Sequence, residues 1–220
     1  MDRRAFLSLS GTTGTVAAGP GWAATPGTAT PARRVAPDPV PAALALPNLT
    51  LWTHEKKKVR LYDDLLKDKI FLINMFFVAC TDGKCPLVTA NLARVQPLLG
   101  QRFGRDIFMY SISLNPVMDT PESLHAYAKL FNVKPGWLFL TGDKDKPEEI
   151  ERLRKALGYW DPDPKVDADK TSHIGLVRVG NEPVDRWTSA PTLAEPREIA
   201  RILSYVDWPK GWTGRRHRAA

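Results

Sequence analysis

Nine residues from Ile70 to Val78, IFLINMFFV, hold a single polar side chain, Asn74. An apolar run of that length without alternation reads as a strand buried on both faces, the kind found inside a parallel sheet covered by helices. Directly after it come Cys80 and Cys85, the only cysteines of the 220-residue chain. Pro86 then opens a helical pattern, LVTANLARVQPLLGQRF, at the position that tolerates a residue without an N–H. Both thiols are therefore expected where a central strand turns into a helix. Orphan N–H groups and the positive end of the helix favour a thiolate or a bound anion there, so the chemistry of the chain is expected at this turn.

The remaining segments extend the same architecture. Leu49–Thr53 and Val59–Tyr62 read as a short hairpin, and Asp63 as a cap for the turn DDLLKDK. Pro97 is expected to kink or stop the first helix. Asp106–Leu114 makes a second buried strand. Asp119-Thr120-Pro121-Glu122 opens the next helix with favourable N-cap chemistry, and Leu124, Tyr127, Leu130 and Phe131 are expected on one face. Trp137–Leu140 is a third strand. Pro147 opens a helix whose apolar face is Ile150, Leu153 and Leu157, with Glu148/Arg152 and Glu151/Lys155 as i,i+4 pairs. The acidic, proline-broken segment DPDPKVDADK reads as a functional loop. It leads to a strand from His173 to Val179, a turn at Asn181-Glu182, a partner strand around Val184–Trp187, and a last helix, LAEPREIARILSYV. Strands alternating with helices, plus one terminal hairpin, predict an α/β fold: a thioredoxin-like sandwich with an N-terminal β-hairpin.

The formal charge of +7 invites a nucleic-acid reading, but no aromatic-interleaved basic stripe or helix-turn-helix pattern accompanies it, and no nucleic-acid partner is expected. No run approaches the eighteen apolar residues of a conventional membrane span. The beginning, MDRRAFLSLSG, pairs two arginines with Phe-Leu and a weakly apolar run, and Gly21 and Ala23 supply the small-x-small pattern of a signal peptidase site. Residues 1–23 thus read as a twin-arginine-type export signal directing the chain to the periplasm, and an uncleaved leader would tether it to the membrane. Residues 24–47, dense in Pro, Ala and Thr, read as a linker. The folded domain is expected over 48–208, with 209–220 as a basic tail.

In an oxidising compartment a lone cysteine pair is usually a structural disulfide. Here only Thr81-Asp82-Gly83-Lys84 separates the two, and so small a loop constrains the unfolded chain little. A close pair at a strand–helix turn better suits thiol exchange or the grip of a metal.

With the cysteines, SISLNPVMDTPESLHAYAKLF, WLFLTGDKDKPEEIERL and His173 in this order, the chain resembles the Sco/SenC family over roughly Leu49 to Trp208. The resemblance implies a thioredoxin fold, copper binding, and assistance in metallating cytochrome c oxidase. It implies Cys80, Cys85 and His173 as metal ligands, and matches Pro86 and Asp119-Thr120 to family positions. Implied partners are a copper-accepting oxidase subunit or another copper chaperone, together with a thiol reductant. The sequence departs from the family in two places: four residues rather than three lie between the cysteines, and Asn115-Pro116 replaces Asp-Pro. The extra residue either bulges at Gly83, which tolerates unusual backbone angles, and leaves both sulfurs in reach of one metal, or moves Cys80 away and abolishes binding.

Two thiolates and an imidazole suit copper, as Cu(I) in trigonal geometry or Cu(II) with an added weak ligand, whereas zinc normally takes four ligands. A Cys80–Cys85 disulfide would exclude the metal, so redox state would gate copper loading. His54, His125 and His217 read as surface histidines, and Met75, Met109 and Met118 as core residues. Lys84 either favours the Cys85 thiolate or faces solvent, and Asp82 opposes that effect. The expected protein is a chaperone rather than an enzyme. The alternative is a periplasmic thiol–disulfide oxidoreductase with Cys80 and Cys85 as its redox pair, although the spacing is not C-x-x-C.

Overall fold

The computed structural model describes residues 46–80, 82–170 and 175–207. The export signal, nearly all of the linker, His173 and the basic tail lie outside the described residues. Strands β1 (Thr50–Thr53), β2 (Lys58–Arg60), β3 (Ile70–Phe76), β4 (Ile107–Ser113), β5 (Trp137–Thr141), β6 (Leu176–Asn181) and β7 (Arg186–Pro191) form one seven-stranded sheet in the order β2-β1-β5-β4-β3-β6-β7. The three strands at its centre, β5, β4 and β3, are parallel, and the expected hairpin β1–β2 joins antiparallel to β5.

All seven residues of β3 are buried, and the reason is visible in how they divide. Leu72 and Phe76 face a core built with α1 (Lys84–Ala93), α2 (Pro121–Leu130) and α5 (Pro196–Leu203). Phe71, Ile73 and Met75 face a second core built with α3 (Pro147–Ala156) and a π-helical turn, Leu61–Leu66. Alternation along a strand sends neighbours to opposite faces, so a strand covered on both sides shows an unbroken apolar run. Leu46, inside the stretch expected as linker, is buried in the second core.

Several local expectations change on folding. The first helix starts at Lys84, two residues before Pro86, and ends at Ala93; a 3₁₀ stretch, Gln96–Arg102, carries Pro97. Leu130 is 80% exposed, because Leu124, Tyr127 and Ala128 already fill the stripe of α2 that faces the sheet. Met75 and Met109 are core residues, but Met118, in the loop before α2, is 67% exposed. Lys155 pairs with Glu151 as expected, whereas Arg152 reaches Glu149 rather than Glu148. Asp64, not Asp63, accepts the Arg60 N–H at the start of the π-helical turn, at 2.7 Å. The acidic segment contains a short helix, α4 (Pro164–Ala168), and the turn after β6 is a 3₁₀ stretch, Glu182–Val184, so β7 starts two residues later than expected.

One ion cluster joins α3 to that acidic segment. Glu151 accepts from the Arg154 guanidinium at 2.6 and 2.9 Å and from Lys170 Nζ at 3.2 Å. These cations hold its carboxyl down to about 2, below the ordinary value of 4.5, with partial burial opposing. A depressed carboxylate stabilises the fold above its unfolded pKa, and the contribution is lost as pH falls through the folded value.

Two predictions follow from this packing. Phe76→Ala should destabilise the fold by about 3–5 kcal/mol, while Leu130→Ala should stay within about 0.5 kcal/mol, as read by denaturant unfolding. Glu151 is 34% exposed, so solvent screening limits its ion pairs to about 1 kcal/mol, or about 2–4 °C in Tm. A Glu151→Gln variant should melt lower by that amount at pH 7, and the gap should close as pH falls from 4.5 to about 2; a gap independent of pH would contradict the linkage.

Candidate metal centre

The cysteines occupy the end of the central strand, where the sequence puts them. After Phe76 the chain leaves the sheet, and Phe77 N–H donates to Cys85 Sγ at 3.3 Å. Two residues before Cys80, Val78 N–H donates to Asp119 Oδ2 at 3.2 Å, and the Ser113 hydroxyl donates to the same oxygen at 2.5 Å. A carboxylate in the loop between β4 and α2 thus holds the exit of β3, through the Val78 N–H that the sheet leaves without a strand partner. Burial pushes the Asp119 carboxyl up, and the bonds from Ser113 and Val78 oppose this in part.

Between the cysteines, Gly83 adopts φ +72°, ψ 0° and serves as the N-cap of α1. That left-handed turn is the bulge expected of the longer loop, and it needs glycine because a Cβ would be strained there. Gly83 has no side chain to cap α1, and Asp82 Oδ1 instead accepts from Lys84 N–H at 3.0 Å. The turn brings Cys85 N–H to 3.3 Å from Cys80 Sγ, and both cysteines are free thiols.

The two sulfurs are not equivalent. Cys85, in the first turn of α1, is fully buried, while Cys80 is half-buried and donates to Asp82 Oδ1 at 2.9 Å. Burial, with the neighbouring Cys80 thiol and the Asp82 charge, pushes the Cys85 thiol up to about 12, and the Phe77 N–H offsets only part of this. Desolvation outweighs the helix terminus that was expected to favour a thiolate. Lys84 does not serve Cys85: its ammonium pairs with Asp82 Oδ2 at 2.9 Å. The Cys80 thiol, with Lys84, holds the Asp82 carboxyl well below the usual carboxylate range. Thr89 of α1 donates to Cys85 O at 2.9 Å and lies 3.0 Å from the Tyr127 hydroxyl, fixing the first turn of the helix against α2.

His173 lies outside the described residues; Gly175, two positions on, accepts at its carbonyl from Thr192 N–H at 3.0 Å. β6 runs antiparallel to β3 with Arg178 opposite Ile73, so it begins beside the end of β3 that leads to the cysteines. The other described histidines are elsewhere. His54 is half-buried rather than on the surface: its Nδ1 accepts from Phe139 N–H at 3.1 Å, and burial lowers its pKa. The His125 ring is 6.2 Å away. Among the described residues no group of three or more His, Cys, Asp or Glu side chains surrounds a metal-sized space, and no helix is long and apolar enough to cross a membrane. A cleft of about 730 Å³ lined by Trp52, Lys58, Thr141 and Glu122 includes neither cysteine.

Asp119 was legible in the sequence as part of an N-terminal helix signal. That its carboxylate would turn back onto Val78 was not, because the contact spans 41 residues and depends on β4 lying next to β3. Nothing in the spacing distinguishes the buried sulfur from the exposed one either.

A family model described as SCO1/SenC matches residues 46–205. Over 144 residues the chain is 28% identical to a Stutzerimonas stutzeri protein named as a candidate copper-binding protein, covering 64% of this chain and 67% of that one. The fold is similar to that of Bradyrhizobium japonicum ScoI solved with copper bound, with a TM-score of 0.54 and 23% identity over 72% of this chain and 97% of that one. It is also similar to BsSco, described as a Sco-family cytochrome c oxidase assembly protein with a disulfide switch. There the TM-score is 0.56, with 21% identity over 72% of this chain and 91% of the other. At these identities the two structures establish likeness of fold.

The difference in exposure sets an order of reactivity. In the reduced protein a small alkylating reagent at neutral pH should modify Cys80 first and Cys85 at least about tenfold more slowly, since the thiolate is the nucleophile and burial depletes it at Cys85. Peptide mapping over a time course measures this, and equal rates would show that the loop opens faster than it reacts.

Proposed function

The chain belongs to the SCO1/SenC family, and on that premise we propose that it is a copper chaperone that binds the metal through Cys80, Cys85 and His173. The observation that carries this reading is the Cys80–Cys85 turn: two reduced sulfurs drawn together at the end of the central strand by a left-handed Gly83. Cys85 N–H at 3.3 Å from Cys80 Sγ supports a shared site despite the longer spacing. Two thiolates make a soft donor pair, and an imidazole completes a trigonal set for Cu(I) or the base of a Cu(II) site. His173 stands two residues before Gly175, which lies near the same end of the sheet, and this supports it as the third ligand.

Copper is cargo in this scheme. Reduced Cys80 and Cys85 each lose a proton as the metal binds, so loading releases protons and follows the redox state of the pair. Exchange with an oxidised disulfide, which takes up the two electrons and two protons as a dithiol, joins the sulfurs in a disulfide and removes two ligands. A dithiol reductant restores them by exchange: one thiolate attacks the half-exposed Cys80 sulfur and releases Cys85, and its second thiolate resolves the mixed disulfide, leaving the reductant as the disulfide. Half-exposure of Cys80 beside buried Cys85 also gives an incoming acceptor thiolate one accessible sulfur at which to begin ligand exchange. The acceptor in this reading is a copper centre of a respiratory oxidase, in line with the oxidase-assembly role named for BsSco, or another copper chaperone. The leader 1–23 would deliver the protein to the periplasm.

The exposed/buried asymmetry of the pair also suits a thiol–disulfide oxidoreductase, in which Cys80 attacks and Cys85 resolves. One titration separates the two readings. Reduced protein, loaded with Cu(I) and freed of excess metal, should retain one copper per chain. Cys80→Ala and His173→Ala should each weaken binding by more than the about 10–100-fold typical of losing an outer-shell partner. Absence of retained copper together with turnover in a disulfide-reduction assay would overturn the chaperone in favour of the enzyme.

A further inference from the structure

The register that joins β1 to β5 sets Trp52 opposite Thr141 and Thr53 opposite Leu140. The next positions in it are His54 and Phe139, and there the ladder changes character. His54 N–H donates to Phe139 O at 2.8 Å, as a strand residue would. In a regular antiparallel pair the returning bond runs from Phe139 N–H to the His54 carbonyl. Here Phe139 N–H donates instead to Nδ1 of the His54 ring, at 3.1 Å. An imidazole thus closes the end of the ladder in place of backbone.

The turn beyond it is bonded to itself. Thr53 N–H donates to Lys57 O and Lys56 N–H to Thr53 O, both at 2.8 Å. The Thr53 hydroxyl accepts from the N–H groups of Glu55 and Lys57 at 3.2 and 3.1 Å. These bonds fix residues 53–57 to one another and not to the domain. Among the described residues, the polar ties from this tip to the domain are the His54–Phe139 pair and an ion pair from Lys56 to Glu122 of α2, at 2.9 Å. The ion pair is 64% and 62% exposed, and pairs so exposed contribute little. His54 is therefore the main polar fastening of the tip.

A bond accepted at Nδ1 needs a lone pair there, so neutral His54 carries its proton on Nε2. That arrangement leaves neither ring nitrogen free for a metal, although the His125 ring is 6.2 Å away. A second proton must enter at Nδ1, opposite Phe139 N–H, and two donors then face each other. The surrounding groups do not offset this loss. Glu55, on the same turn, favours the cation but is already bonded to Lys57 Nζ at 2.8 Å. β5, with no charged side chain, favours it through the Phe139 backbone. Burial is the largest effect and opposes the cation, as do His125 on α2 and Lys57, and the net pKa lies below the ordinary 6.5.

We propose that His54 is a pH-operated latch: neutral, it fastens the β1–β2 tip to β5, and protonated, it lets the tip swing away from β5 and α2. Leu49 and Leu51 stay in the second core, so the opening is local. Trp52 and Lys56 form one wall of the cleft of about 730 Å³ and Thr120 and Glu122 another, so release of the tip reshapes that cleft. The stabilisation from neutral His54 is complete above 6.5 and is lost as pH falls from there through the lower folded value. The latch involves no metal and stands apart from the copper reading.

Amide exchange on the full chain, reduced and metal-free, reads the latch directly. Corrected for intrinsic exchange, protection of Phe139 N–H should drop about fivefold between about pH 7.5 and about pH 5, the factor equivalent to one net hydrogen bond of about 1 kcal/mol. The amides of β3 should keep their protection over the same range. His54→Asn sets an amide oxygen where Nδ1 stands and does not titrate, so its Phe139 protection should change less than about twofold. His125→Gln should retain the drop and move its midpoint upward, because a neighbouring cation is removed. A nitrogen-resolved NMR titration of the unmodified protein, which needs no variant to fold, should show an Nε2–H tautomer and a midpoint below 6.5. An equal drop in His54→Asn, a drop abolished by His125→Gln, a parallel loss in β3 or a neutral ring protonated at Nδ1 would each overturn the latch.

Discussion

Burial of β3 on both faces is the constraint on which the rest of the structure depends. Its seven residues have no exposed side to spare, so each end must turn away from the sheet at a defined place. At the end of β3 the backbone N–H groups of Phe77 and Val78 pass beyond the ladder. They find a sulfur and a carboxylate instead, Cys85 and Asp119. Buried N–H groups left unpaired would each cost about 1–3 kcal/mol. The demand for acceptors at this point therefore draws the helix after the cysteines and the loop after β4 together, and the candidate centre is assembled as a consequence.

That assembly explains why the pair is unequal. Cys85 is pulled inward because it lies in the first turn of α1, whose Thr89 bonds to the Cys85 carbonyl and to Tyr127, and it packs in the same core as Tyr127. Cys80 remains at the rim, balanced by Asp82 and Lys84. The helix terminus alone would favour a Cys85 thiolate. Desolvation of Cys85 is the larger effect and keeps its proton on in the metal-free state. A soft cation that displaces that proton replaces lost solvation with a covalent bond, which makes such a site selective for thiophilic metals over hard ones.

The acidic segment after α3 is held by a different kind of chemistry. The acidic segment has few apolar contacts and depends on ionic bonds to α3, so its attachment is directional rather than merely cohesive. Apolar cores hold the strands, and a guanidinium fork holds α4 to α3. Each uses the interaction that suits its task, since hydrophobic burial is non-directional and a bidentate ion pair is not.

The sequence by itself determined the alternation of strands and helices, the two-sided burial of β3, the N-cap at Thr120 and the location of both cysteines. These follow from periodicity, proline placement and local polarity, all of which act over a few residues. It also carried enough pattern to indicate the family. Only the tertiary structure decided which sulfur is buried, that Asp119 turns back to Val78, that Leu130 and Met118 face solvent, and that Arg154 gathers a segment thirteen residues away. Those outcomes depend on which elements become neighbours in space. A side chain's acceptors and its desolvation are set by residues that chain proximity does not specify, and no short-range pattern encodes them.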